Sequence, residues 1–255
     1  MNGVVSVVTA VDVAGSTHLD DAYRSLCLQE LPEGWSLQWC VGSYGLGVLN
    51  RRYLERDERI RYNLTFASSP AAARNVALAH AAGGVIVVLD PDDLLLPGAL
   101  HGFIEVFSSQ ARVMWAAGRT QLLYSDGNTG PYVEPLRPGI IAPGWLYDYR
   151  RRHRASTPCP LHPRHIAVRR DVLLSMGGWP AFPDGVDELL LYAVAEVHPG
   201  FALDANTHQY RRWVSSPQAP ALAVPGEQSL VDLALVQRIT AMRASSSVLF
   251  ERPPS

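Results

Sequence analysis

The sequence predicts an α/β fold with a mostly parallel central sheet flanked by helices. Two runs, residues 4–11 (VVSVVTAV) and 85–89 (VIVVL), are continuous, apolar and β-branched, the pattern of strands covered on both faces. Segments of helical spacing lie between the strand-like runs, giving the order strand, helix, strand. The chain has 255 residues, 47% of them hydrophobic, enough for one substantial core at the upper end of what a single domain holds.

Residues 4–11 form the first strand. After a turn at Gly15 and Ser16, residues 19–31 place Leu19, Ala22, Tyr23, Leu26 and Leu28 at mostly helical spacing, and Pro32 and Gly34 end the helix. Residues 37–41 make the second strand and complete a βαβ unit. Residues 59–64 are a third strand, after a charged loop or short helix. Ser68 or Ser69 then caps a helix with Pro70 in its first turn, which runs through Ala-rich sequence to His80 and stops at Gly83 and Gly84. Residues 85–89 carry the strongest strand signal and end directly in Asp90-Pro91-Asp92-Asp93. Ligands of open α/β sheets bind at the carboxyl ends of the strands, so this acidic cluster stands where chemistry is expected.

Beyond it the pattern is less regular. Trp115, Tyr124, Tyr132, Trp145, Tyr147, Tyr149 and Trp179 read either as the wall of a substrate cleft or as ordinary core. Residues 226–243 predict a final amphipathic helix with Leu230, Leu233, Ala234, Val236 and Ile239 on its apolar face. That helix packs on the domain or forms a homodimer contact. With no repeat and no linker, residues 1–255 read as one domain.

The formal net charge of -2 supplies no global positive field, so nucleic acid is not expected as a partner. The basic run at residues 150–154 (RRRHR) reads as a solvated loop or as a pocket for phosphate or an acidic partner. No apolar run approaches the roughly 20 residues of a membrane span, and the first residues lack a positively charged leader. A cytoplasmic location is therefore expected. Cys27, Cys40 and Cys159 are odd in number and widely spaced, which predicts buried free thiols rather than a disulfide framework or a zinc site. All 22 basic residues are Arg, which excludes every mechanism that needs a lysine and suggests a high-GC bacterial genome.

Three carboxylates within four residues, Asp90, Asp92 and Asp93, repel one another unless a cation or strong donors neutralise them. Oxygen ligands of this kind suit Mg²⁺ or Mn²⁺, which take one or two carboxylates and complete their shell with water and substrate phosphates. Alternatively, Asp92 or Asp93 caps the helix that follows.

Residues 69–100 (SPAAARNVALAHAAGGVIVVLDPDDLLLPGAL) closely resemble the family 2 glycosyltransferase pattern, in which an Ala-Arg-Asn helix precedes a strand ending in Asp-x-Asp-Asp and then a Pro. The opening VVSVVTAV, followed by Leu19, Ala22, Ser25, Leu26 and Gln29, looks like the same family's first strand and helix. The resemblance implies a GT-A-like, Rossmann-related domain. Residues 1–100 would be its nucleotide-sugar half, 101–225 its acceptor side and 226–250 a C-terminal helix. It implies roles as well. Ala10, Val11 and Asp12 would border the nucleobase, Arg74 would lie near the nucleotide and Asp90 would face the ribose. Asp92 would be the principal metal ligand, with Asp93 in support.

Family members carry a second acidic motif on a helix after a Gly-Gly-aromatic turn. Here Gly177, Gly178 and Trp179 precede Asp187 and Glu188. An acceptor hydroxyl is a poor nucleophile until a carboxylate takes its proton, and Asp187 is the candidate base, with Asp184 and Glu188 in reserve. Each of these acids also suits the first turn of a helix. Residues 208–213 (HQYRRW) resemble the family's C-terminal Tyr-Arg or Gln-x-x-Arg-Trp element. Arg211 or Arg212 would then grip the diphosphate as charge develops on the leaving group, and His208 is a candidate further metal ligand. His162 and His165 are candidates for the acceptor cleft. One departure is that the second strand ends in Val41-Gly42-Ser43-Tyr44, where many members have acidic residues that hold the base. Uridine diphosphate remains only the family's commonest choice.

The expected reaction is inverting transfer of a sugar from a nucleoside-diphosphate sugar to a small-molecule acceptor, such as a natural product or sugar intermediate. Two other readings remain open. One is a nucleotide-sugar-binding protein that has lost catalysis. The other is a haloacid-dehalogenase-like phosphatase using Asp90 and Asp92, although such enzymes place the motif near the amino terminus and need a later Lys.

Overall fold

Strand β1 (Gly3–Asp12) lies inside a ten-stranded sheet and pairs in parallel with β2 (Trp35–Tyr44) on one side and β4 (Val85–Val88) on the other. The computed structural model describes residues 3–15, 17–132, 136–153, 159–212 and 230–250. Between β1 and β2 runs α1 (Leu19–Cys27), and α2 (Arg52–Arg56) leads into β3 (Ile60–Ala67), parallel to β2. Helix α3 (Pro70–Ala79) then returns across the sheet to β4. The chain therefore winds outward from β1 to β3 and comes back on β1's other flank, which makes the carboxyl ends of β1 and β4 a topological switch point.

After β4 come the two-residue β5 (Leu94–Leu95), α4 (Ala99–Ser109), β6 (Trp115–Tyr124), β7 (Thr129–Pro131) and β8 (Gly139–Ile141). The chain continues through α5 (Trp145–Arg152), β9 (Ile166–Arg169), α6 (Arg170–Ser175), α7 (Val186–Val197), β10 (Gly200–Arg212) and α8 (Leu230–Phe250). The sheet order is β3-β2-β1-β4-β9-β6-β10-β5, with β7 on β6 and β8 on β10. Strands β6 and β10 run parallel to each other, whereas β9 is antiparallel to both β4 and β6. The sheet is thus mostly parallel, with antiparallel strands in its second half.

Both faces of the early strands are buried, as their unbroken apolar runs require. Val5, Val7 and Val11 of β1, with Val85 and Val87 of β4, pack with α1 and α4, while Val8, Ile86 and Val88 belong to a second cluster with residues of α3 and α7. Ser69 caps α3 by accepting from the Ala72 N–H at 3.3 Å, with Pro70 in the first turn. Gly42 is where α3 comes down on β2. A Cβ there would sit 2.1 Å from the Ala73 carbonyl oxygen, so any side chain would push the helix away.

Several boundaries differ from the sequence reading. Helix α1 ends at Cys27 rather than near residue 31, and β2 extends three residues beyond Val41. Neither Asp92 nor Asp93 caps a helix, because β5 intervenes and α4 starts at Ala99. Among the described side chains of α8, Leu235 and Ile239 are buried, while Leu230, Leu233 and Val236 of the expected apolar face are exposed. Residues 226–229, with Ser16, Arg154 and Trp213, lie outside the described residues. Arg150 is not part of a solvated loop: it lies in α5 and ion-pairs with Glu188 and Asp232. All three cysteines are free, but Cys27 is exposed rather than buried. Among the described residues, no helix is long and apolar enough to cross a membrane.

Candidate active site

A cleft of about 780 Å³ opens over the switch point. Ala10 and Asp12 at the end of β1 form one wall, Ser69 and Arg74 of α3 another, and Asp90 and Asp92 the floor after β4. The loop before β9 adds His162 and Arg164, the start of α7 adds Asp187 and Glu188, and the end of β10 adds Tyr210 and Arg212. Two stretches far apart in sequence, residues 69–93 and 177–188, thus meet in one cavity.

The acidic cluster is neutralised by protein groups in an ordered way. Asp90 is 3% exposed, and its two oxygens accept from Arg74 Nη2 at 2.5 Å and Arg164 Nη1 at 2.6 Å. Burial opposes its ionisation, but the Arg164 and Arg74 guanidiniums outweigh burial and hold the carboxyl below the usual carboxylate range. Asp93 is fully buried: Oδ1 accepts from the Arg211 backbone N–H at 2.9 Å, and Oδ2 bonds to His165 Nε2 at 2.8 Å. Burial, reinforced by Asp90 and Asp92, pushes the Asp93 carboxyl well above the usual range. Burial also drives His165 down to about 3, and its bond to Asp93 braces the loop from below. Asp92 is the carboxylate of the three that is not deeply buried, and it lines the cleft.

Oxygen atoms of Asp90, Asp92 and Asp93 lie within 4.8 Å of one another. This spacing and donor chemistry fit Mg²⁺ or Mn²⁺ held chiefly through Asp92, since such ions need only one or two carboxylates when substrate phosphates complete the shell. His208 does not join the cluster, contrary to the sequence expectation. It is fully buried, its Nε2 bonds to the Val88 carbonyl at 3.1 Å and its Nδ1 to the Thr207 hydroxyl at 2.9 Å, and its ring stacks on His165. Both nitrogens are committed to the protein.

Asp187 lies at the first turn of α7. Its Oδ2 accepts from Arg74 Nη1 at 3.2 Å and its Oδ1 from Trp179 Nε1 at 2.8 Å. Burial raises its pKa, opposed by Arg74. Glu188, also raised by burial, pairs with Arg150. Asp184 lines the cleft as well and accepts from the Gly185 N–H at 2.7 Å.

Of the other expected donor residues, Ala10, Asp12, Arg74 and Arg212 line the cleft and Val11 does not, being fully buried against α1 and α4. Arg211 is a brace rather than a diphosphate grip. Its Nε donates to the Asp92 carbonyl at 3.0 Å and its Nη2 reaches Asp21 at 3.1 Å, tying the acidic loop to α1. His162 lines the cleft, but His165 is enclosed beneath it. Of the aromatics, Tyr132 lines the cleft, whereas Trp115, Tyr147 and Trp179 are core.

Sequence reasoning missed Arg164, which holds Asp90 and lies over the Tyr210 ring at 5.5 Å. It also missed Asn75, whose amide exchanges two 2.9 Å bonds with the backbone of Trp179. The signal for Asn75 was present in the Ala-Arg-Asn motif, but its partner is 104 residues away. Arg164 carried no signal beyond its His-rich neighbourhood.

Residues 45–174 match the family model described as glycosyl transferase family 2. The fold is similar to that of S. aureus TarS 1–349 in complex with UDP-GlcNAc, with TM-score 0.66 and 15% identity over 94% of this chain and 66% of that one. It is also similar to TarS 1–349 alone, with TM-score 0.62 and 16% identity over 83% and 60%, and in complex with UDP, with TM-score 0.61 and 15% identity over 83% and 61%. The chain spans 60% to 66% of the length of these fragments, and at such identity the likeness is one of fold. No curated protein matches the sequence.

Proposed function

The chain belongs to glycosyl transferase family 2, and from that premise we propose that it transfers a sugar from a nucleoside-diphosphate sugar to a hydroxyl of a small-molecule acceptor, with inversion. The observation that carries this reading is the meeting of Asp92 and Asp187 in one cleft at the β1–β4 switch point, with Arg74, Arg164 and Arg212 around them. A diphosphate there meets Arg212 beside Arg74 and Arg164, which are already paired with Asp90 and Asp187, so a cation at Asp92 would offset the remaining carboxylates. A nucleoside fits along Ala10, Asp12 and Tyr44, which line the same cavity. TarS of the same fold is seen with UDP and with UDP-GlcNAc, which favours a UDP sugar as donor.

Asp92 would hold Mn²⁺ or Mg²⁺ against the diphosphate, with Asp93 positioning the loop from below. When bound, the cation acts as a Lewis acid that offsets the charge of the departing nucleoside diphosphate. Arg74 and Arg164 hold Asp90 and, with Asp187 on Arg74, fix the acidic floor of the site, so that Arg212 and the cation would carry the charge that stabilises the leaving group. Asp187 takes the acceptor proton, and its burial suits a base because the carboxylate is less well solvated and holds a proton more readily.

Calorimetric titration of UDP and of UDP sugars into the full chain, with Mn²⁺ and then with chelator, tests the reading. Metal-dependent binding of one UDP sugar is the expected result. Binding without any transfer to a panel of hydroxylated acceptors would favour a donor-binding protein that has lost catalysis, and absence of binding would remove the donor site.

A further inference from the structure

Helix α7 begins with a turn that its own sequence leaves uncapped. Its N-cap is Gly185, with φ +63° and no side chain to accept from the free N–H groups of the first turn. Yet this turn carries Asp187 and Glu188, and the two carboxylates leave the helix in different directions. Asp187 reaches Arg74 and Trp179, whereas Glu188 reaches Arg150 of α5. A turn without a cap is held by contacts from outside it.

Some of those contacts lead to α8. Arg150 spreads its guanidinium between two carboxylates, giving Nη1 to Glu188 and Nη2 to Asp232 in the first turn of α8. Its Cζ lies 5.5 Å over the ring of Tyr192, which is buried one turn further along α7. Beside this bridge, Val231 packs on Gly185 so closely that a Cβ at position 185 would fall 2.6 Å from its Cγ1. The first turns of α7 and α8 are thus joined twice, once by charge and once by packing. Partly exposed ion pairs contribute little to stability, but a guanidinium is a rigid planar fork and sets the positions of two carboxylates at once. Neither Arg150 nor Asp232 lines the cleft.

We propose that Arg150 is a positioning residue: by clamping Glu188 to Asp232 it fixes the first turn of α7 and so aims Asp187 into the cleft. Glu188 is then a strut rather than a second base, because its carboxylate is committed to Arg150. A general base must stand within hydrogen-bond reach of the proton it takes, and a displacement of about 1 Å can cost roughly a hundredfold in rate. The role in transfer rests on the transferase reading; the clamp does not.

Trp179 reports on the clamp without any substrate, because its indole N–H donates to Asp187. Its ¹H–¹⁵N signal is assigned in the full chain by its loss in Trp179→Phe and followed in Arg150→Met and Asp232→Ala. Both variants are expected to move it upfield, as a weakened hydrogen bond does. The indole signals of Trp39 and Trp115, bonded to Thr9 and His198, stay in place and show that the chain is folded. Arg243→Met cuts the bridge to Glu196, about two turns further along α7, and leaves the Trp179 signal unmoved. In turnover of UDP sugars, Arg150→Met and Asp232→Ala lower kcat roughly tenfold and keep the donor KM. Asp232→Ala, at a partly exposed position, keeps the test open should Arg150→Met not fold. An unmoved Trp179 signal in Asp232→Ala, an equal shift in Arg243→Met, or unchanged kcat in both clamp variants overturns the proposal. A displaced signal in a chain that turns over no UDP sugar would keep the clamp and defeat the transferase reading instead.

Discussion

Burial lifts the Asp187 carboxyl above the usual carboxylate range, while Arg74 and the Trp179 indole N–H hold it in place from two sides. A base works in its ionised form, so activity falls as pH drops through the folded-state pKa. The acid limb of kcat is therefore expected above the value of about 3.9 for a free aspartate. Asp187→Asn should lower kcat by roughly 10²- to 10⁴-fold, leave donor affinity nearly unchanged and remove that limb. Steady-state kinetics across pH, paired with calorimetric donor binding, checks this, and a parallel loss of affinity and turnover would count against a base. Asp92 behaves oppositely. Asp92→Asn should weaken donor binding by roughly tenfold or more and make it indifferent to chelator, and equal donor affinity in wild type and variant would remove the metal assignment. Away from the cleft, Asp57 accepts from Arg59 and Tyr23, and chiefly the Arg59 bonds hold its pKa down to about 2. Its folded pKa lies below its unfolded one, so the stability it contributes is present above pH about 4 and lost as pH falls toward 2. The gap in urea midpoint between wild type and Asp57→Asn should close over that window.

At the scale of elements, Asp187, the proposed base, is placed by a clasp between α3 and the turn before α7. Asn75 exchanges two bonds with the Trp179 backbone, and Trp179 passes its indole N–H to Asp187. Gly178 permits the approach: its φ is +71°, and a Cβ would meet Asn75 Oδ1 at 2.2 Å. Asn75→Ala removes both clasp bonds at a cost of about 1–3 kcal/mol and should lower kcat more than it raises the donor Kd, as read by denaturation and kinetics. This clasp shows how far the sequence could be read. The elements from β1 to β4 were legible because each is encoded locally, by an unbroken β-branched run, by Ser69 and Pro70 at a helix start, or by Gly83 and Gly84 at a stop. The second half was not, because β6 and β10 pair with partners more than 80 residues away and carry Gly, Asn, Arg and His inside their runs. The candidate site residues followed the same rule. Asp92 and Asp187 sit in local motifs, whereas Arg164, Asn75 and the brace formed by Arg211 act through contacts that only the fold creates. His208 misled because a histidine beside an acidic loop looks like a ligand until its partners, Val88 and Thr207, are seen.

On the scale of the whole molecule, α8 is fastened chiefly to α7 and α5. Leu235 and Ile239 are buried with α7 residues in one cluster, and two arginines cross-link the helices. Arg150 of α5 bridges Glu188 of α7 and Asp232 of α8, and Arg243 of α8 bridges Glu196 of α7 and Asp148 of α5. Glu188 and Gly185 line the cleft, so α8 reaches the site through Arg150 and through Val231, which packs against Gly185. The charged pairs are partly exposed, and such pairs contribute little, about 0–1 kcal/mol each, so the apolar contacts carry most of the attachment. Leu235→Ala deletes a fully buried side chain at a cost of about 2–5 kcal/mol. For a chain of this size, that lowers Tm by roughly 4–20 °C. The walls proposed for the nucleotide, formed by β1, α3 and the loop after β4, meet α8 only through that shared cluster and not through its ion pairs, so UDP affinity at 25 °C should stay near wild type while the folded state persists. Calorimetric melting and UDP titration of the same variant read both quantities, and UDP affinity that falls in step with Tm would mean that the donor cleft and α8 share one cooperative core.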